Sequence, residues 1–191
     1  MTLPMILTWG RIGLAPVFFL FYQLSGGGSP FLLIGVWLCF IVIEVSDLLD
    51  GHLARMFKQE TELGKVLDPF ADSLSRLTYF VALAGSGILP LWVLLILIYR
   101  DMAVAYIRVL TSRQKVLMPA RVSGKLKAWV YAVAGIAGIG VFSLRKLGWV
   151  PGSLRDVEGV AFGLFLLAAA VAIWSLVDYV GFFLKNFGKA S

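Results

Sequence analysis

Apolar residues run along this chain in long stretches, and the polar positions fall between them in short clusters. The pattern predicts six helices over roughly residues 5–24, 31–56, 63–86, 89–113, 122–144 and 157–184. Each is about the length, roughly 20 residues, that crosses a bilayer as an α-helix whose backbone satisfies its own hydrogen bonds in lipid. Helix breakers agree with these limits. The run from Ser25 to Pro30 closes the first stretch, Lys58 to Thr61 turns the second into the third, and Gly85, Ser86 and Gly87 with Pro90 separate the third from the fourth. No stretch repeats another and no linker sets off a second domain, so residues 1–191 are expected to form one membrane domain.

Composition sharpens the solvent. The chain is 60% hydrophobic, above the roughly 45–50% apolar content of soluble domains, and a water-soluble core cannot absorb that surplus. The expected fold class is therefore an all-α integral membrane protein with six transmembrane helices. Arg11 lies inside the first apolar stretch rather than ahead of it, so that stretch is expected to remain as a span and not to be removed as a signal.

Charge then gives an orientation. There are 17 Lys and Arg against 11 Asp and Glu, but the basic residues are interleaved with the spans instead of forming one patch, which argues against nucleic acid as a partner. The connections at 25–30 and 85–90 carry no Lys or Arg, whereas Lys58, Arg113, Lys115, Arg121, Lys125, Lys127, Lys185 and Lys189 gather on the opposite side. By the positive-inside rule both termini are expected to be cytoplasmic, in the cell's inner membrane. Arg145, Lys146 and Arg155 on the outer side weaken this asymmetry without reversing it. Cys39 is the only cysteine, which excludes an intrachain disulfide and leaves thiol catalysis without support.

Acidic residues inside membrane helices cost about 2.5–3.5 kcal/mol each on insertion scales and so mark function. Asp47 and Asp50 are three apart and Asp68 and Asp72 four apart, so each pair shares one helix face. If the chain reverses at Gln59 and Glu60, Asp50 falls opposite Asp68 and Asp47 opposite Asp72. Four carboxylates gathered in a low dielectric repel one another, and hard divalent cations neutralise an all-oxygen set; two Mg²⁺ or Mn²⁺ ions would suit it. Gly51 and Gly64, with Ala54, let a diphosphate approach backbone, and Arg55 supplies a fixed cation beside them.

These residues, from Asp47 to Asp72, match every defined position of DxxDGxxARx8GxxxDxxxD, and on them the chain resembles the CDP-alcohol phosphotransferase family. The resemblance implies a six-helix membrane enzyme in which Asp47, Asp50, Asp68 and Asp72 hold two metal ions and Asp72 is the general base. It places the nucleotide of a CDP-diacylglycerol donor over Asp47, Gly51, Ala54, Arg55 and Gly64, at the cytoplasmic side, and it implies a homodimer. The segments Leu3 to Thr8 with Arg11, Leu67 to Asp72, and Arg100, Asp101, Tyr106 and Arg108 are most similar to the branch whose acceptor is glycerol 3-phosphate. Met5, Ser73 and Asp101 depart from that branch, which usually carries asparagine, lysine and glutamate there. Inositol phosphate, serine or a choline-type alcohol are the alternative acceptors, and a cation-coupled transporter is the rival from another class.

A phosphorylated acceptor needs cations that the donor does not use, and Arg108, Arg121, Lys125 and Lys127 are expected to supply them. Arg121 and Lys125 are four apart at the start of the fifth helix, where the helix dipole also favours an anion. The plainer role for these residues is a basic collar reaching into lipid headgroups. His52 is expected to serve packing, Glu44 and Arg76 to form a buried ion pair one turn deeper than the aspartates, and Gly135, Gly138 and Gly140 to allow close helix contact.

Overall fold

The apolar stretches fold as helices because a chain in lipid must satisfy every backbone N–H and C=O internally. The computed structural model describes residues 3–57, 62–113, 121–148 and 154–187; within its helices, the side chains of 3, 4, 48, 50–57, 62–66, 68, 112, 113, 186 and 187 lie outside the description. The helices are α1 (Leu3–Leu24), α2 (Pro30–Phe57), α3 (Glu62–Gly85), α4 (Leu91–Arg113), α5 (Val122–Leu147) and α6 (Leu154–Phe187). Their ends fall within a few residues of the limits read from the sequence. No strand occurs among the described residues.

Four stretches, Met5–Leu24, Pro30–Asp47, Val122–Leu147 and Leu154–Lys185, are long and apolar enough to cross a membrane. In α4 Arg100, Asp101 and Arg108 fall within every 18-residue window of the described helix, and the described side chains of α3, 69–85, make too short a stretch to judge in the same way. Large apolar side chains cover the outside of the bundle, with Phe31 85% and Leu91 67% exposed, a surface that lipid rather than water stabilises.

α1 packs along both α2 and α3, α6 packs along α4 and α5, and the two groups meet where α3 touches α4 and α5 and where α2 touches α5. Long side chains fill the space between α2 and α3. The Phe40 and Tyr79 rings meet edge to face at 5.3 Å, and Phe80 meets Tyr131 of α5 in the same way at 5.4 Å. Close approach of α5 depends on glycine: a Cβ on Gly135 would stand 2.9 Å from Phe40, and one on Gly138 would stand 2.5 Å from Leu83. The expected glycine contacts therefore form at these two positions, while Gly140 meets nothing within 4 Å.

The far end of the bundle is pinned. Gly28 adopts φ +79°, and a Cβ there would lie 2.8 Å from the Lys146 carbonyl oxygen, so both conformation and space require glycine. The Lys146 amine donates to the Gly26 carbonyl at 3.0 Å, and the Tyr22 hydroxyl bonds Ser86 at 2.7 Å. The charged residues of α2, α3 and α4, and Lys125 and Lys127 of α5, gather at the opposite end.

Candidate active site

Acidic and basic side chains converge at that opposite end because odd-numbered helices enter it at their N-terminal halves and even-numbered helices at their C-terminal halves. Arg76 is the centre of the acidic group. Its side chain is 3% exposed, and three carboxylates surround it: Asp47 at 2.7 Å, Asp72 at 2.7 Å and Glu44 at 3.4 Å. Its Nη1 donates to the Ala128 carbonyl at 3.1 Å, which ties the cluster to α5. Arg11 of α1 pairs with the other oxygen of Asp47, and the Tyr79 hydroxyl donates to Glu44 at 3.3 Å. A buried guanidinium thus holds one carboxylate of its own helix and two of α2, and each buried charge has a partner.

The expected Glu44–Arg76 contact forms, but it is the longest of the three that Arg76 makes. Asp47 and Asp72 are the nearer partners. That arrangement agrees with the depth arithmetic of the hairpin, in which Asp47 faces Asp72. The side chains of Asp50, Gly51, Ala54, Arg55, Gly64 and Asp68 lie outside the described residues; their helices carry Asp50 one turn beyond Asp47 and Asp68 one turn before Asp72.

These donors fit divalent cations by their chemistry. Asp47 and Asp72 come from two helices to one guanidinium, with oxygen donors only. Among the described residues alone, no group of three or more potential metal ligands is complete.

Beside Asp72 opens a cavity of about 260 Å³ between α3, α4, α5 and α6. Arg108, Arg121, Lys125 and Lys127, the four cations singled out in the sequence, all line it, together with Arg100, Asp101 and Tyr179. Their surroundings differ. Lys127 is buried, and its amine donates to both oxygens of Asp101 at 2.8 and 3.1 Å. Arg100 donates to the same carboxylate at 2.9 Å and to Ser175 at 2.7 Å. Arg121 caps α5 in an extended conformation, and its guanidinium pairs with Asp178 at 2.5 Å. Ser123 donates to that carboxylate at 2.6 Å. Arg108 donates to the Tyr179 hydroxyl at 3.2 Å, and Lys125 is exposed. Among the described residues neither Arg108 nor Lys125 has a carboxylate partner.

Four contributors escaped the sequence reading: Arg11 and Arg76 as partners of Asp47, and Asp178 and Tyr179 of α6. A signal existed for Asp178, an acid inside an otherwise apolar span and therefore costly unless paired. Nothing in the pattern of residues distinguished Tyr179 from an interfacial aromatic.

The family model for CDP-alcohol phosphatidyltransferase matches residues 1–174. A protein of Mycobacterium tuberculosis (strain H37Rv) named "Probable phosphatidylglycerophosphate synthase" is 34% identical over 185 residues, 96% of this chain and 82% of that protein. Two proteins named CDP-diacylglycerol–glycerol-3-phosphate 3-phosphatidyltransferase are also similar. The Escherichia coli (strain K12) protein is 31% identical over 183 residues, 93% of this chain and 92% of its own length. The Bacillus subtilis (strain 168) protein is 28% identical over 141 residues, 69% of this chain and 73% of its own. Ser175, Asp178 and Tyr179 lie beyond the stretch that the family model covers.

Proposed function

Because the chain belongs to the CDP-alcohol phosphatidyltransferase family, we propose that it transfers a phosphatidyl group from CDP-diacylglycerol to glycerol 3-phosphate, giving phosphatidylglycerophosphate and CMP. One observation carries the choice of acceptor: the cavity beside Asp72 is lined by cations, of which Arg108 and Lys125 have no carboxylate partner among the described residues. A phosphorylated alcohol needs that charge, and a choline-type alcohol, itself a cation, does not. The names of the relatives from E. coli and B. subtilis agree with this acceptor.

The acceptor hydroxyl attacks the phosphorus that bears the diacylglycerol, the bond from that phosphorus to the CMP oxygen breaks, and CMP leaves with the electron pair. Asp72 takes the hydroxyl proton, which suits a carboxylate at the cavity wall with 27% of its side chain exposed. Arg76 holds Oδ1 of Asp72 at 2.7 Å. Arg108 and Lys125 orient the acceptor phosphate, with Arg121 and Lys127 behind them; Asp47, Gly51, Ala54, Arg55 and Gly64 hold the CDP of the donor. Asp47, Asp50, Asp68 and Asp72 would hold two divalent cations, Mg²⁺ or Mn²⁺. Bound there, such ions neutralise the diphosphate and the charge that grows on the leaving CMP.

On the same reading α3 and α4 also cross the membrane, their charges turned into the bundle, so the chain has six spans as one domain over 1–191. The density of Lys and Arg at the site end supports a cytoplasmic active site in the inner membrane with both termini on that side. A homodimer rests on the family resemblance alone. Purified protein given labelled CDP-diacylglycerol and a panel of alcohols, scored for CMP release and lipid product, tests the reaction. Turnover with an uncharged alcohol and none with glycerol 3-phosphate would sink the choice of acceptor and keep the family.

A further inference from the structure

Tyr179 enters the cavity from α6, outside the stretch covered by the family model. Its side chain is buried, yet it touches two of the cavity's cations. The guanidinium carbons of Arg100 and Arg108 each lie 5.6 Å from the centre of its ring. Those arginines are eight residues apart on α4, so the ring sits against both across two helical turns, where the π system favours each cation. The hydroxyl accepts the only hydrogen bond that the Arg108 side chain donates among the described residues, at 3.2 Å.

The hydroxyl is itself confined. A Cβ on Gly124 of α5 would stand 2.9 Å from it, while the next ring atoms would be 3.8 Å away. α5 therefore presents bare backbone to the Tyr179 hydroxyl, and any larger residue would press on that one atom. Arg108 is exposed toward the cavity, and an exposed arginine has many rotamers to lose before it can hold an anion. A fixed hydroxyl removes part of that loss in advance.

On these grounds we infer that Tyr179 is a positioning residue for the acceptor: its hydroxyl, seated on Gly124, aims the Arg108 guanidinium at the acceptor phosphate. The inference rests on the acceptor site proposed above. It assigns acceptor recognition to a residue of α6 that makes no step of the transfer itself.

The test uses the full chain in detergent micelles, with glycerol 3-phosphate and CDP-diacylglycerol varied separately. In Tyr179→Phe the KM for glycerol 3-phosphate should rise about fivefold or more, while the KM for CDP-diacylglycerol moves less than about twofold. Gly124→Ala should give the same split, because its new methyl displaces the hydroxyl. In the Tyr179→Phe background the Gly124→Ala change should add nothing, since the atom that would clash is gone. A purely structural tyrosine would lower thermal stability and leave both KM values in place, and that result overturns the inference. So does an equal rise in both KM values, or a Gly124→Ala effect undiminished in the Tyr179→Phe background. Failure of the wild-type chain to use any phosphorylated alcohol would instead remove the acceptor site, and this inference with it.

Discussion

Replacing Arg76 by glutamine takes away a buried cation shared by Glu44, Asp47 and Asp72. Asp47 keeps Arg11, and Glu44 keeps the Tyr79 hydroxyl, but among the ion pairs described here Asp72 loses its only one. Breaking a buried ion pair by removing one partner costs about 3–5 kcal/mol. For a chain of this size about 2–4 °C of melting temperature accompanies each kcal/mol, so the expected loss is roughly 6–20 °C in detergent without added divalent ions. The effect of Glu44 is asymmetric. Its contact at 3.4 Å is the weakest of the three, so Glu44→Gln alone should cost about 1 kcal/mol or less, because Arg76 still has Asp47 and Asp72. In the Arg76→Gln background the same change removes a stranded charge and should recover about 1–3 kcal/mol. The assay is thermal unfolding of the wild type, both single variants and the double variant at one detergent concentration. A melting temperature of Arg76→Gln within about 2 °C of wild type, or strictly additive losses, would refute the account of Arg76 as a shared counterion.

Transfer should stop in excess EDTA and return with Mg²⁺ or Mn²⁺; full activity in the chelator would remove the metal from the mechanism. Asp72→Asn should abolish transfer while labelled CDP-diacylglycerol still binds, because the amide keeps the shape and cannot accept the proton; near wild-type turnover would send the search for the base elsewhere. Lys125→Ala should raise the KM for glycerol 3-phosphate about tenfold and leave the melting temperature unmoved. Lys127→Ala should do more damage to stability, by about 1.5–3 kcal/mol, because the fully buried Asp101 loses one of its two cations and keeps only Arg100; the reverse ranking in a melting series would contradict the pairing.

The sequence was most informative where periodicity and solvent act on each residue separately. All six helices were legible because an apolar stretch in lipid has one way to satisfy its backbone, and Gly28, Pro30 and Gly87 mark ends that the structure keeps. The aspartates were legible through cost, since a charge in such a stretch needs a reason. Pairings between helices were harder. Spacing shows that Asp47 and Asp72 face inward, but it cannot show that Arg11 of α1 meets Asp47, because α1 packs between partners distant in sequence. Lys127 shows the same limit from the other side. The pattern groups it with Arg108, Arg121 and Lys125 as a cation for the acceptor phosphate, whereas its amine donates to both oxygens of Asp101, 26 residues earlier. Exposure and partnership are tertiary properties, and a one-dimensional pattern reports only the face of a helix.

The division of labour between the two ends of the chain has a consequence for how such a protein changes over generations. The described contacts within the acidic group lie between residues 11 and 79, apart from the Arg76 bond to the Ala128 carbonyl, which any residue at 128 can accept through its backbone. The polar contacts of the cavity's cations join residues 100 to 179. Mutations in the later half can therefore reshape what the cavity admits without disturbing an ion pair of the earlier half. A lineage can keep its chemistry and exchange its substrate by drift in α4, α5 and α6 alone. Transplanting those three helices between relatives is the corresponding experiment in the laboratory.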